Sequence, residues 1–283
     1  MSFLSIFREK KKSQSVVLID VTADSVAGAY ALYKERETPI LLYTRRLPLE
    51  MRADEPREQA MVRALTILGN ELIREGAPIL MRAIGNGNAG TILVSVGTPW
   101  QETKVRTENF ERENPFVFTK SIVATALEKT SIVPEGKLLA DESILSTVLN
   151  GYETHDPYGK HIRRASVMVL TSFIEKNISD VVVSALRGFF HTKHILMIAA
   201  GSLRYQAIRI AFPHERKPDS ASLKQAIESA DSEKLWIPGF PPKIVPVLAS
   251  HIAGSVRQTT TTPPDLQLLL MALYYQHHSS DER

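Results

Sequence analysis

Apolar residues recur along the chain in two rhythms, and the change from one to the other marks out the predicted elements. Residues 16–20, Val-Val-Leu-Ile-Asp, are an apolar run closed by a carboxylate, and Thr22-Ala23-Asp24-Ser25 separates them from a second apolar run at 26–32. Runs of this kind, bounded by turn formers, predict two strands joined by a tight turn. A third strand is predicted over 40–46, with a polar break at 50–57. Beyond it Met61, Leu65, Leu68, Leu72 and Ile73 share one helical face, so 57–75 reads as an amphipathic helix. The segment Gly85-Asn86-Gly87-Asn88-Ala89-Gly90 is a flexible turn into a buried strand at 91–96, which Gly97 and Pro99 end. The opening third is therefore β-β-β-α-β.

A second unit follows Trp100. A strand is predicted at 103–108, and a helix at 119–128 behind Thr119 as its cap. Residues 137–148 read as extended, and two turn signals follow, Leu149-Asn150-Gly151-Tyr152 and Asp156-Pro157-Tyr158-Gly159-Lys160. The most β-prone run is 165–173, and 178–190 is a helix with Asn177 or Ser179 available as cap. Runs at 194–200 and 205–210 flank Gly201-Ser202-Leu203-Arg204, which predicts a hairpin. Helices are expected at 221–229, 243–252 and 265–276, with a short strand at 235–237 and a proline-rich loop around Gly239. No repeat is visible at any period between roughly 20 and 50 residues.

With 283 residues, 43% of them hydrophobic, the chain can bury a core of its own. It has no cysteine, which excludes disulfides, thiolate metal sites and cysteine nucleophiles. Thirty-four basic residues against 31 acidic ones give a net charge of only +3. The short basic clusters at 8–12 and 161–164 carry no interleaved aromatics, so no nucleic-acid partner is expected.

The longest apolar runs fall far short of the roughly 20 residues that a membrane-spanning helix needs. In the N-terminal tail Phe3, Leu4, Ile6 and Phe7 precede Arg8, Lys10, Lys11 and Lys12, the reverse of a signal peptide's order. A cytoplasmic protein is expected. Phe3, Leu4 and Phe7 beside Lys10, Lys11 and Lys12 suit peripheral contact with an anionic membrane surface; the alternative is a solubilising terminus.

Catalytic motifs are missing. There is neither a Gly-x-Ser-x-Gly elbow nor a Walker-type phosphate loop, and the histidines show no ligand spacing, so no metal site and no catalytic residue is expected. Asp141 and Glu142, adjacent on a strand, point to opposite faces and read as a solvated edge.

Three stretches together resemble the FtsA/PilM branch of the actin-like ATPases. Residues 17–26, Val-Leu-Ile-Asp-Val-Thr-Ala-Asp-Ser-Val, resemble that family's first phosphate hairpin, and 93–100, ending Gly97-Thr98-Pro99-Trp100, resemble the strand that leaves subdomain 1A. The turns at 149–152 and 156–160, with the strand and helix that follow, are similar to the inserted 1C (SHS2) subdomain. Residues 195–210 and 235–250 resemble the second phosphate hairpin and the nucleoside-side loop only faintly.

The resemblance implies an α/β fold: an actin-like (ribonuclease H-like) mixed sheet flanked by helices, an inserted SHS2/1C-like α+β subdomain and a reduced second lobe. It divides the chain into a tail at 1–14, subdomain 1A at 15–100, a 1C-like subdomain at 101–190 and a 2A-like remnant at 191–283. Any ATP with magnesium would fall to Asp20, Thr22, Asp24, Ser25, Gly201, Ser202 and Gly239. The family's glycine two positions after the first Asp is here Thr22, and the Asp of the second hairpin is replaced within Ile198-Ala199-Ala200. Hydrolysis is not expected.

The implied role is a scaffold or adaptor in bacterial cell division or in envelope or pilus assembly. Protein partners, or self-association, would engage Asn150, Gly151, Tyr152, Asp156, Tyr158 and Lys160 in the 1C-like subdomain. The alternatives are a nucleotide-binding switch that polymerises and a purely structural chain whose cleft is filled by side chains.

Overall fold

A computed structural model describes residues 14–33, 40–154, 156–192, 194–203 and 205. They form a mixed α/β structure with two sheets. Sheet A has the order β3-β2-β1-β4-β9, from β1 (Gln14–Val21), β2 (Ser25–Tyr33), β3 (Ile40–Pro48), β4 (Thr91–Val96) and β9 (Ile195–Ala199). β1 runs antiparallel to β2 and parallel to β4, and β4 runs parallel to β9. Its central strand β1 is apolar from Val16 to Ile19 because both faces are covered: Val17 and Ile19 on one side and Val16 and Leu18 on the other are all buried.

The first of these faces packs against α1 (Arg57–Glu71) and α4 (Lys176–Arg187), which bring Met61, Leu65, Leu68, Ile178, Val182 and Leu186 into one core. The predicted helix over 57–75 does not stop at Gly76. A π-helical turn, Leu72–Gly76, leads directly into α2 (Ala77–Ile84), with Pro78 tolerated in the first turn of α2. That turn re-registers the apolar face so that Leu72, Gly76 and Leu80 all point inward. At Gly76 a Cβ would lie 2.5 Å from the Tyr30 ring, so only glycine admits this approach.

Sheet B is inserted between β4 and α4. Its order is β5-β8-β6-β7, from β5 (Gln101–Val117), β6 (Lys137–Leu149), β7 (Tyr152–Glu153) and β8 (His161–Glu175), and all neighbours are antiparallel. Helix α3 (Lys120–Thr130) covers one face, its Val123 joining Phe118, Val167 and Val169 in a small core. Thr119 caps it as expected, its hydroxyl accepting from the Ile122 N–H at 3.3 Å. Helix α4, by contrast, starts at Lys176 with Glu175 in the cap position, so neither Asn177 nor Ser179 serves.

Two expectations for the end of the described chain are corrected. Ile195–Ala199, assigned to a reduced second lobe, is the fifth strand of sheet A, hydrogen-bonded to β4. Gly201 and Ser202, expected in a β-hairpin turn, are helical instead. The burial of Ser202, Leu203 and Tyr205 explains this, since a solvent-facing turn would expose them. The tail with Phe3, Leu4, Phe7, Lys10, Lys11 and Lys12, the 205–210 arm except Tyr205, Gly239 and everything predicted beyond lie outside the described residues.

Candidate functional site

The β1–β2 turn is where the sequence pointed to phosphate, and its hydrogen bonds close on themselves. The Thr22 N–H donates to the Ser25 carbonyl at 3.0 Å, and the Ser25 N–H donates back to Thr22 Oγ1 at 3.2 Å. Thr22 Oγ1 also donates to the Ser25 carbonyl at 3.0 Å and lies 3.2 Å from Ser25 Oγ. Asp24 is tied from outside, its carbonyl accepting from the Leu49 N–H at 2.7 Å. A phosphate cradle needs turn N–H groups aimed at the ligand; at Thr22 and Ser25 both are engaged inside the hairpin, which is how hydroxyl residues commonly stabilise turns.

Strand register sets the surroundings. Asp20 pairs with Ala27 and Ser95, Ala27 with Arg46, and Ser95 with Ile198, so Arg46, Ala27, Asp20, Ser95 and Ile198 form one row on one face. Asp20 is 4% exposed, and Arg46 donates to Ser25 Oγ, at the start of the neighbouring strand β2, at 3.0 Å. The buried Ser95 hydroxyl has no hydrogen-bond partner among the described residues. This row thus presents one carboxylate across its five strands. A hydrated magnesium ion is held by one or two carboxylates together with the substrate's phosphates; of the donors in this turn, the Thr22 and Ser25 N–H groups are engaged within the hairpin. No cluster of three or more metal-ligating side chains occurs among the described residues.

The residues expected to meet a partner lie together at the far tip of sheet B. Asn150 and Gly151, at φ 48° and 90°, form the two-residue turn between β6 and β7. Asn150 Oδ1 also accepts from the N–H groups of Arg163 and Arg164, both at 3.1 Å. The turn is therefore rigid, and it presents Tyr152 with 80% of its surface exposed. Tyr158 is placed differently: its ring stacks on Phe118 at 6.0 Å, inside the small α3 core. Asp156 is exposed, and Lys160 donates to Thr154 Oγ1 at 3.0 Å.

Two features were missed by sequence reasoning. The first is a part-buried network under the end of α3. Arg106 bonds Glu108 and Glu142, each at 2.7 Å, and donates to Thr130 Oγ1 at 2.6 Å. Asp141 and Glu142 do point to opposite faces, but neither is a solvated edge: Glu142 joins this network, while Asp141 accepts hydrogen bonds from Ser143 and Ser202. The period-two placement of Glu102, Lys104, Arg106 and Glu108 along β5 was the available signal. The second is a cavity of about 250 Å³ where the sheets meet, lined by Pro99, Trp100, Glu102, Lys137 and Phe173. Hydrogen bonds from Lys137 and Lys104 hold the Glu102 carboxyl below the usual range.

No protein family matches the chain, and no curated protein matches it. Solved structures similar to it include a chain of a PilM–PilN type IV pilus biogenesis complex, at 14% identity and a TM-score of 0.39, covering 69% of this chain and 51% of that one. The cytoplasmic domain of EpsL, an inner membrane component of the Vibrio cholerae type II secretion system, matches at 9% identity and a TM-score of 0.35, covering 92% and 95%. A Bacteroides thetaiotaomicron protein with an actin-like ATPase fold matches at 9% identity and a TM-score of 0.30, covering 72% and 59%. The chain thus spans about half the length of the pilus protein it matches. No helix among the described residues is long and apolar enough to cross a membrane.

Proposed function

We propose that this chain is a contact-making protein of the actin-like superfamily, on its FtsA/PilM side. It acts in the cytoplasm, at the inner face of the membrane, as a scaffold or adaptor in cell division or in envelope or pilus assembly, without ATP hydrolysis. The observation that carries the proposal is the self-closed turn: the Thr22 and Ser25 N–H groups that would meet a phosphate bond within the hairpin instead. The order of sheet A, with β2 alone antiparallel to its neighbours on both sides, supports an actin-like, ribonuclease H-like sheet. The strand-helix-strand-strand succession β5, α3, β6, β8, with only the two-residue β7 between the last two, supports an SHS2-like insertion.

The contact surface we propose is the tip of sheet B around the Asn150–Gly151 turn. An exposed tyrosine on a rigid turn loses little entropy when it docks, and tyrosine is among the residues that dominate protein interfaces. A photo-crosslinking amino acid placed at Tyr152 in the native cell tests this against one at Asn70, on the exposed side of α1. The proposal expects a discrete adduct with an envelope-assembly protein or a second copy of this chain at position 152 alone. No adduct at 152, or the same adducts at both positions, would overturn it.

A further inference from the structure

We infer that the helical turn following β9, residues 200–203 with Tyr205, is a clasp that fixes sheet B against the end of sheet A. It bonds to sheet B at two points. Ser202 Oγ donates to Asp141 Oδ2, and the Tyr205 hydroxyl donates to the Ile144 carbonyl at 3.1 Å. Between these bonds the Tyr205 ring packs with Leu145 of β6 and Leu170 of β8, with Val105 and Met168 beside them. The third strand is reached through Gly201, which lies so close to β5 that a Cβ there would stand 2.8 Å from Thr103 Oγ1. One turn of chain, continuous with the edge strand of sheet A, therefore touches β5, β6 and β8.

The sequence of β6 is built around the same contacts. Its pairing with β8 is irregular between Leu139 and Asp141 and again between Ile144 and Ser146. Irregularities of this kind re-aim backbone and side-chain groups, and they flank the residues that the clasp holds. Ser202 and Leu203 are fully buried and Tyr205 is 5% exposed, so the clasp is part of the packed joint between the sheets. The orientation of sheet B is thereby tied to the position of the β9 end, independently of what binds the tip of sheet B.

Hydrogen exchange on the full chain tests the clasp, because local opening raises exchange only in the unit that is released. In a Ser202→Ala/Tyr205→Phe variant, exchange across 137–149 and 101–108 is expected to rise about tenfold while β1 and β4 stay unchanged. Gly201→Ala is the independent arm. Alanine is the better helix former, so any loosening it causes comes from its contact with Thr103, and Thr103→Ala in the same chain should restore protection. Unchanged exchange in sheet B, an equal rise in both sheets, or a Gly201→Ala effect that Thr103→Ala does not relieve would each overturn the inference.

Discussion

Sheets A and B are stabilised in opposite ways. Sheet A is covered on both faces, and its central residues Val17, Leu18, Ile19, Leu93 and Val94 have no exposure at all. Sheet B has a compact core under α3, but a network of charges and hydroxyls carries the end of that helix. The turns differ as well: Thr22 and Ser25 bond to each other in a turn braced by Leu49 and Arg46, whereas the bonds of Asn150 hold a turn beside the exposed Tyr152. The two sheets therefore differ in where their polar groups are used.

The largest test of this contrast is Leu68→Ala. Leu68 is buried on the face of α1 that packs on sheet A, so its truncation should cost about 3 kcal/mol and lower the midpoint of the whole unfolding transition in urea. Arg106→Ala should cost about 2 kcal/mol, since Glu108 and Glu142 would face each other in a part-buried site without their shared cation. That loss should appear in sheet B, as faster hydrogen exchange along α3 and β6 with β1 unaffected.

Tyr30 gives an alkaline test. Burial raises its phenol from an ordinary 10.0 to about 12, and its hydroxyl has no hydrogen-bond partner among the described residues. The unfolded chain ionises this tyrosine near pH 10 and the folded protein only near pH 12, so stability is complete below pH 10 and falls as pH rises towards 12. Tyr30→Phe should remove part of that slope, leaving the share due to Tyr43, whose phenol is also raised to about 12 by burial and by its hydrogen bond to Glu75. At neutral pH the same substitution should be neutral or stabilising by up to about 1 kcal/mol, read from denaturant midpoints. The smallest change is expected from Tyr152→Ala, within about 0.5 kcal/mol of the parent, because the side chain packs on little. A larger loss would make Tyr152 structural.

Much of sheet A was legible in the sequence because each strand is an apolar run closed by turn formers: residues 16–20, 26–32, 40–46 and 91–96 all fall inside strands of the structure. The cap at Thr119 was legible for a similarly local reason. Helix α2 was not, because the apolar face that predicted the helix over 57–75 ends at Ile73, whereas a π-turn carries the helix past Gly76 and the start of α2 accommodates Pro78. Nor was the full length of β5, whose 17 residues carry charges at 102, 104, 106, 108 and 111–113 and pair with the distant strand β8, while Arg106 reaches Glu142 on β6. The placement of β9 beside β4 depends on a pairing about 100 positions apart in the chain, which no local pattern encodes. At the candidate site, the position of Asp20 at the end of β1 was readable, while the closure of Thr22 onto Ser25 depends on hydrogen-bond geometry.

The most direct test is a thermal-melting titration of the full chain with magnesium–ATP and magnesium–ADP, since a ligand that binds only the folded state must raise the melting temperature. A turn whose Thr22 and Ser25 groups are already engaged predicts no shift at millimolar nucleotide. A concentration-dependent rise that disappears in Asp20→Ala would contradict it and make the chain a nucleotide switch.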